Sequence, residues 1–178
     1  MLFQLLIILI SALHTGGPKS PKDSLIDWNS SRKLNWEDFK AQPDGSSVNA
    51  ALTSTNINID YSFNNREFKY KIRCQFDPTK SWGRIKSDYI LSHEQAHFDI
   101  AEIHARLLNK ALKNYRFNAK TANKDIGDIY QRLMQEHHDM QEQYDDETNY
   151  SRNESRQQEW QKKIVDTLTN LQEYAKYK

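Results

Sequence analysis

Residues 90–106 read ILSHEQAHFDIAEIHAR. Ile90, His93, His97, Ile100 and His104 recur there at helical spacing, and Leu107 and Ala111 continue the row. Leu91, Ile103, Leu108 and Leu112 widen the stripe, and no glycine or proline occurs from residue 84 to residue 118. This periodicity predicts one long helix starting near Ser87, with one face buried against other elements.

Upstream the period is two. In STNINIDYSF (54–63), Ile57, Ile59, Tyr61 and Phe63 alternate with polar residues. In EFKYKIRCQF (67–76), Phe68, Tyr70, Ile72, Cys74 and Phe76 alternate with Lys69, Lys71, Arg73 and Gln75. Two half-buried strands joined at NNR are expected, with one face on the core and a basic face in water. Cys74 is the single cysteine, so the chain has no intramolecular disulfide, and the alternation places Cys74 in the core.

Downstream, a second helix is expected from about Asp125 to Tyr144, with Ile126, Ile129, Leu133, His137, Met140 and Tyr144 on one side. DDETNYSRN (145–153) reads as a helix end and loop, and Trp160, Ile164, Leu168, Leu171 and Tyr174 mark a third helix. Before the strands, Trp28, Leu34, Trp36 and Phe39 supply apolar area, Asn35 can cap a short helical turn from Trp36, and QPDG closes it. The order predicts an α+β fold: a small antiparallel sheet or hairpin, a long helix, then two further packed helices. One domain is expected over residues 26–178.

Lys and Arg number 25 against 24 Asp and Glu, which gives no argument for a nucleic-acid surface. Nine Tyr, seven Phe and four Trp compensate for few aliphatics, and five Gly with four Pro argue against a turn-dense sandwich. MLFQLLIILISALHTGG (1–17) holds an apolar run from Leu2 to Leu13, short for a bilayer span and suited to a secretory signal. No Lys or Arg precedes the run, no small-x-small cleavage site stands out, and no Cys follows closely to make a lipoprotein signal. Residues 1–17 are expected to be a signal peptide or N-terminal anchor and 18–25 a linker, giving a periplasmic or secreted protein. Membrane contact is expected only through an uncleaved N-terminal segment.

His93 and His97 stand four apart, on one helix face, with Cβ atoms about 5–6 Å apart. That spacing lets both imidazoles reach one ion. Glu94 is rotated by about 100° and is placed to act as a general base on water polarised by the metal. A third protein ligand is needed if one position stays open. Glu102 points about 180° away and suits pairing with Arg106. His104 lies about 10 Å farther along the axis than His97. A metzincin-like third histidine has no counterpart, because Ile100 and Ile103 stand in its place. His137, His138, Asp139, Glu142, Asp145, Asp146, Glu147 and Tyr150 remain, His137 being read first as a core histidine.

The stretch 90–106 closely resembles the active helix of a bacterial domain-of-unknown-function family of predicted secreted zinc-dependent proteases. The likeness extends to LNWEDFKAQP (34–43), to Ser81 and Trp82, and to YDDETNYSRNESRQQEW (144–160). It implies a zincin-like domain, a Zn2+ ion, hydrolysis of a peptide or protein substrate, and export. The family pattern looks like Y-D-x-x-T-x-H, and Tyr144, Asp145 and Thr148 match it. That favours Asp145 as the third ligand. Tyr150 stands where the family has His, and Tyr shares with His the ability to donate a hydrogen bond to a developing oxyanion. The strand Phe68–Phe76 is expected to line the cleft. The Tyr150 departure also supports an alternative, a non-catalytic zinc-binding envelope module that recognises a peptide or protein.

Overall fold

The computed structural model describes residues 25–177. The expected signal or anchor and nearly all of the linker lie outside these residues. Among the described residues, no helix is long and apolar enough to cross a membrane.

The fold is α+β. Strand β1 (Ile26–Asp27) is followed by β2 (Ala51–Leu52), β3 (Thr55–Phe63), β4 (Phe68–Phe76) and β5 (Trp82–Gly83). Three helices follow: α1 (Asp88–Asn114), α2 (Ala122–Thr148) and α3 (Glu154–Asn170), with a short 3-10 turn at Gln172–Tyr174. One antiparallel sheet has the order β1-β4-β3, and β2 pairs with β5 in a second. The expected hairpin is present in register from Thr55↔Phe76 to Phe63↔Phe68. Asn64 shapes its turn, its side-chain oxygen accepting from the backbone N–H of Arg66 and Glu67.

Helix α1 begins where the sequence places it. Ser87 is its N-cap and accepts from the Ile90 N–H. It lies between two apolar clusters. On the sheet side, Ile57, Ile72, Cys74 and Phe76 meet Phe98, Ala101, Ala105 and Leu108. On the other side, Ala96, Ile100 and Ile103 pack on Tyr144, Trp160 and Ile164. Small alanines on α1 let neighbouring elements approach closely, and the aromatics fill the space between them.

One expectation is refined and two are corrected. First, the turn that Asn35 caps stops after one i→i+3 bond, Asp38 N–H to Asn35 O at 2.9 Å, with the Asn35 side chain accepting from Glu37 N–H and Asp38 accepting from Asn35 N–H as expected of a cap. Second, Asp145–Thr148 belong to α2, because Tyr144 and Thr148 are fully buried and keep the last turn packed. The break comes at Asn149, Tyr150 and Ser151, which take left-handed φ values of 49°, 51° and 68°. Third, α3 ends at Asn170, so Leu171 and Tyr174 pack from the turn beyond it.

Candidate metal centre

α1 and α2 run antiparallel, which brings His93 opposite Asp145 and His97 opposite Gln141. His93 Nε2 and His97 Nε2 each lie 3.1 Å from Asp145 Oδ1 and 3.2 Å from each other. The three form the one group among the described residues able to offer three such ligand atoms to a metal ion. Ligand atoms around a tetrahedral zinc bonded at about 2.0–2.2 Å stand about 3.3–3.5 Å apart, so the observed triangle is close to that size. His93 is 4% exposed, and its ring stacks on Tyr144 at 4.5 Å. Tyr144 also meets the edge of His97, at 5.0 Å.

Hydrogen bonds behind the rings decide where their protons sit. The Gln141 amide nitrogen donates to the His97 backbone carbonyl at 2.9 Å, an atom that can only accept. The Gln141 oxygen therefore faces His97 Nδ1, at 2.5 Å, and Nδ1 carries the proton. The Gln157 amide nitrogen donates to Tyr89 O and Ser92 Oγ, at 3.3 and 3.1 Å. The Ser92 hydroxyl proton is already given to Tyr89 O. The Gln157 oxygen therefore faces His93 Nδ1, at 3.2 Å. Each Nε2 then presents a lone pair to the carboxylate of Asp145. Three atoms able to accept meet at one point, so either a proton shared between them or a metal ion must lie there.

The electrostatics agree. Burial disfavours the charged form of Asp145, but its hydrogen bonds to His93 and His97 outweigh this and hold it well below the usual carboxylate range. Burial likewise disfavours a proton on His97, yet Asp145 and Glu94 push its pKa up to about 9. The site favours positive charge, which a proton on His97 or a bound cation can supply. Glu94 is 4% exposed, and its Oε2 has no hydrogen-bond partner among the described residues. Burial raises its pKa, against the lowering effect of both histidines.

The triangle opens into a cleft of about 390 Å³, lined by residues 49–55, His93, Glu94, His97, His137, Gln141, Asp145, Tyr150 and Ser151. The expected lining strand is corrected here. β4 is the central strand and is paired on both edges, so the wall is the segment around β2 and the start of β3. Ser54 spends its N–H on Ser81 Oγ and its carbonyl on Asp77 N–H. Ile57 lies opposite Cys74, whose carbonyl accepts from Trp28 on the β1 side. In an antiparallel ladder the backbone groups of Ile57, and of Thr55 two residues earlier, therefore point away from β4. Tyr130 donates to the Ile57 carbonyl at 2.7 Å, whereas Thr55 borders the cleft. Arg84 braces this wall by donating to the carbonyls of Asp44, Ser47 and Asn49.

The other candidates are placed elsewhere. Glu102 binds Arg106 at 2.8 Å, as its position on the helix suggests, but both are almost fully buried. His104 donates to Ile100 O at 2.9 Å. His137 is half-buried at the cleft side and accepts from Gln141, not a core histidine packed among apolar groups. Glu142 pairs with His138 on the surface, Asp139 bonds Gln135, and Asp146 is exposed. Glu147 accepts from Trp160 and Arg156. Tyr150 is 41% exposed at the cleft rim, and the left-handed turn sets it there through its N–H to Asp145 O, at 2.8 Å.

Sequence reasoning missed Gln141, Gln157 and the wall at 49–55. Gln141 stands four residues before Asp145, on the same helix face, which is a usable signal. Gln157 carries none, because its role depends on how α3 folds back. No curated protein and no solved structure matches the chain. A family model does match, over residues 7–153, a stretch that includes both histidines, Glu94, Asp145 and Tyr150. The chain belongs to the bacterial protein family of unknown function DUF922.

Proposed function

We propose that this protein is a zinc-dependent peptidase of zincin type, acting outside the cytoplasm on a peptide or protein substrate. The observation that carries the proposal is the convergence of three potential ligand atoms, His93 Nε2, His97 Nε2 and Asp145 Oδ1, within 3.1–3.2 Å of one another beside the buried side chain of Glu94. Two neutral imidazoles and one carboxylate suit Zn2+. Bound zinc supplies Lewis acidity, polarising a carbonyl and lowering the pKa of water towards 7.

The chain's own groups account for the remainder. Glu94 has a raised pKa and a bare Oε2. It takes a proton from the attacking water and returns it to the departing amine nitrogen. Tyr150, at the rim, donates to the carbonyl oxygen as negative charge develops there. Thr55, with its backbone groups turned from β4, offers an extended peptide strand-like hydrogen bonds. Tyr130, capping Ile57 O, ends that register.

Metal analysis of the purified protein should find about one zinc per chain, with none in the His93→Ala, His97→Ala double variant. Glu94→Gln should keep the zinc and lower peptide cleavage by about 10²–10⁴-fold. Equal zinc in the double variant, or iron in its place, would overturn the proposal. A second reading, a zinc-binding module that grips peptides without cutting them, draws on Tyr150 replacing the family His. It is decided for if wild type holds zinc and binds peptides yet cleaves none across a broad library.

A further inference from the structure

We propose that Gln141 and Gln157 are positioning residues: they lock His93 and His97, before any ion arrives, in the tautomer that ligates through Nε2. The proposal rests on the reading above only for which atoms bind the ion. Each glutamine is oriented by α1 itself. Gln141 is keyed by the carbonyl of His97, the same residue whose ring it holds. Gln157 is keyed by Tyr89 O and by Ser92 Oγ, one turn and one residue before His93.

Flipping either amide sets oxygen against oxygen. For Gln141 the clash is with His97 O at 2.9 Å. For Gln157 it is with Tyr89 O and with a Ser92 oxygen that has no proton left to give. Gln161 also donates to Ser92 Oγ, at 3.0 Å, which fixes that hydroxyl as an acceptor. Gln157 is 1% exposed, so water cannot substitute for the amide. The second amide hydrogen of Gln141 faces His137 Nε2 at 2.9 Å, which holds the amide from a third direction. A neutral amide orients each ring without adding charge beside Asp145 and Glu94. A carboxylate in either place would lose the N–H that keys the side chain to His97 O or Tyr89 O, and would add a negative charge.

The test uses metal-free full-length protein labelled with ¹⁵N-histidine. Long-range ¹H–¹⁵N spectra, followed through a pH series to the point where both rings are neutral, report each ring's tautomer. Wild type should show both rings as Nδ1–H. Gln157→Leu should shift His93 alone to a mixture, and Gln141→Leu should do so for His97 alone. Zinc affinity, measured against a chromophoric chelator, should fall about 10–100-fold in each Leu variant. Nε2–H rings in wild type, a measurement that needs no variant, would overturn the proposal. So would Leu variants with unchanged tautomers. If the wild-type rings are locked but no zinc binds, the peptidase reading fails while the positioning role stands.

Discussion

Helix α1 carries two buried polar clusters, and they differ in what they leave unmatched. Near its C-terminal half, Arg106 donates Nε to Glu102 Oε1 at 2.8 Å and Nη1 to Leu168 O at 2.7 Å. Tyr177 donates its hydroxyl to Glu102 Oε2, and the guanidinium lies 5.2 Å from the Trp28 ring centre. Positive meets negative, donors meet acceptors, and the cluster ties the end of the chain to the core. Two turns earlier, His93, His97 and Asp145 turn acceptors towards one another, and Glu94 keeps a bare oxygen. Both clusters hold a carboxylate out of bulk water, Glu102 at 2% exposed and Asp145 at 29%. What separates the two clusters is whether the chain itself supplies the matching donor or cation.

That difference can be broken from either side. Removing the cation of the matched cluster should cost most. Arg106→Met strands Glu102 in the core and should destabilise the fold by about 3–5 kcal/mol in urea denaturation. Zinc content should not change. The double change Glu102→Leu, Arg106→Met should cost far less than Arg106→Met alone, because no buried charge is left without a partner. The unmatched cluster should respond to an added cation. Zinc at 100-fold above its Kd should stabilise wild type by about 2.7 kcal/mol, and should leave the His93→Ala, His97→Ala variant unmoved. A matched cluster that tolerates Arg106→Met would erase the contrast.

Much of this was legible in the sequence wherever one element determines the outcome. The hairpin, the long helix and the pairing of His93 with His97 depend on periods of two and 3.6, which are local properties. Exclusion of Glu102 and His104 needed only the rotation and rise of one helix. Asp145 was favoured through a family resemblance, since no spacing within one helix relates it to His97. The wall at 49–55 was misassigned to β4 because alternation reveals which face of a strand is buried, and says nothing about which edge is paired. Gln141 and Gln157 were invisible for another reason. Glutamine on a helix reads as surface, and only the meeting of α1, α2 and α3 turns these two amides inward. The two-residue strands β1, β2 and β5 are too short to carry a period.

Between the two clusters lies the His104–His137 pair, with ring centres 5.3 Å apart, and it gives the smallest test. His137 Nε2 accepts from Gln141, so the fold requires it neutral. Burial, then the nearby His104, His97 and His138, lower its pKa to about 4, against about 6.5 when unfolded. As pH falls, the unfolded chain therefore takes the proton first. The stability tied to His137 is complete above pH 6.5 and is lost as pH drops towards 4. His104, lowered by burial, has the same sign. His97 is raised to about 9 in the metal-free protein and exerts its slope above this window. Glu94 is raised by burial and acts with opposite sign within it. The informative quantity is thus the difference between variant and wild type. His137→Asn should flatten the fall in metal-free urea midpoints between pH 6.5 and 4, by on the order of 1–2 kcal/mol given its partial exposure. An unchanged slope would mean that His137 gains its proton as easily folded as unfolded. The Gln141 amide would then be anchored by His97 O alone.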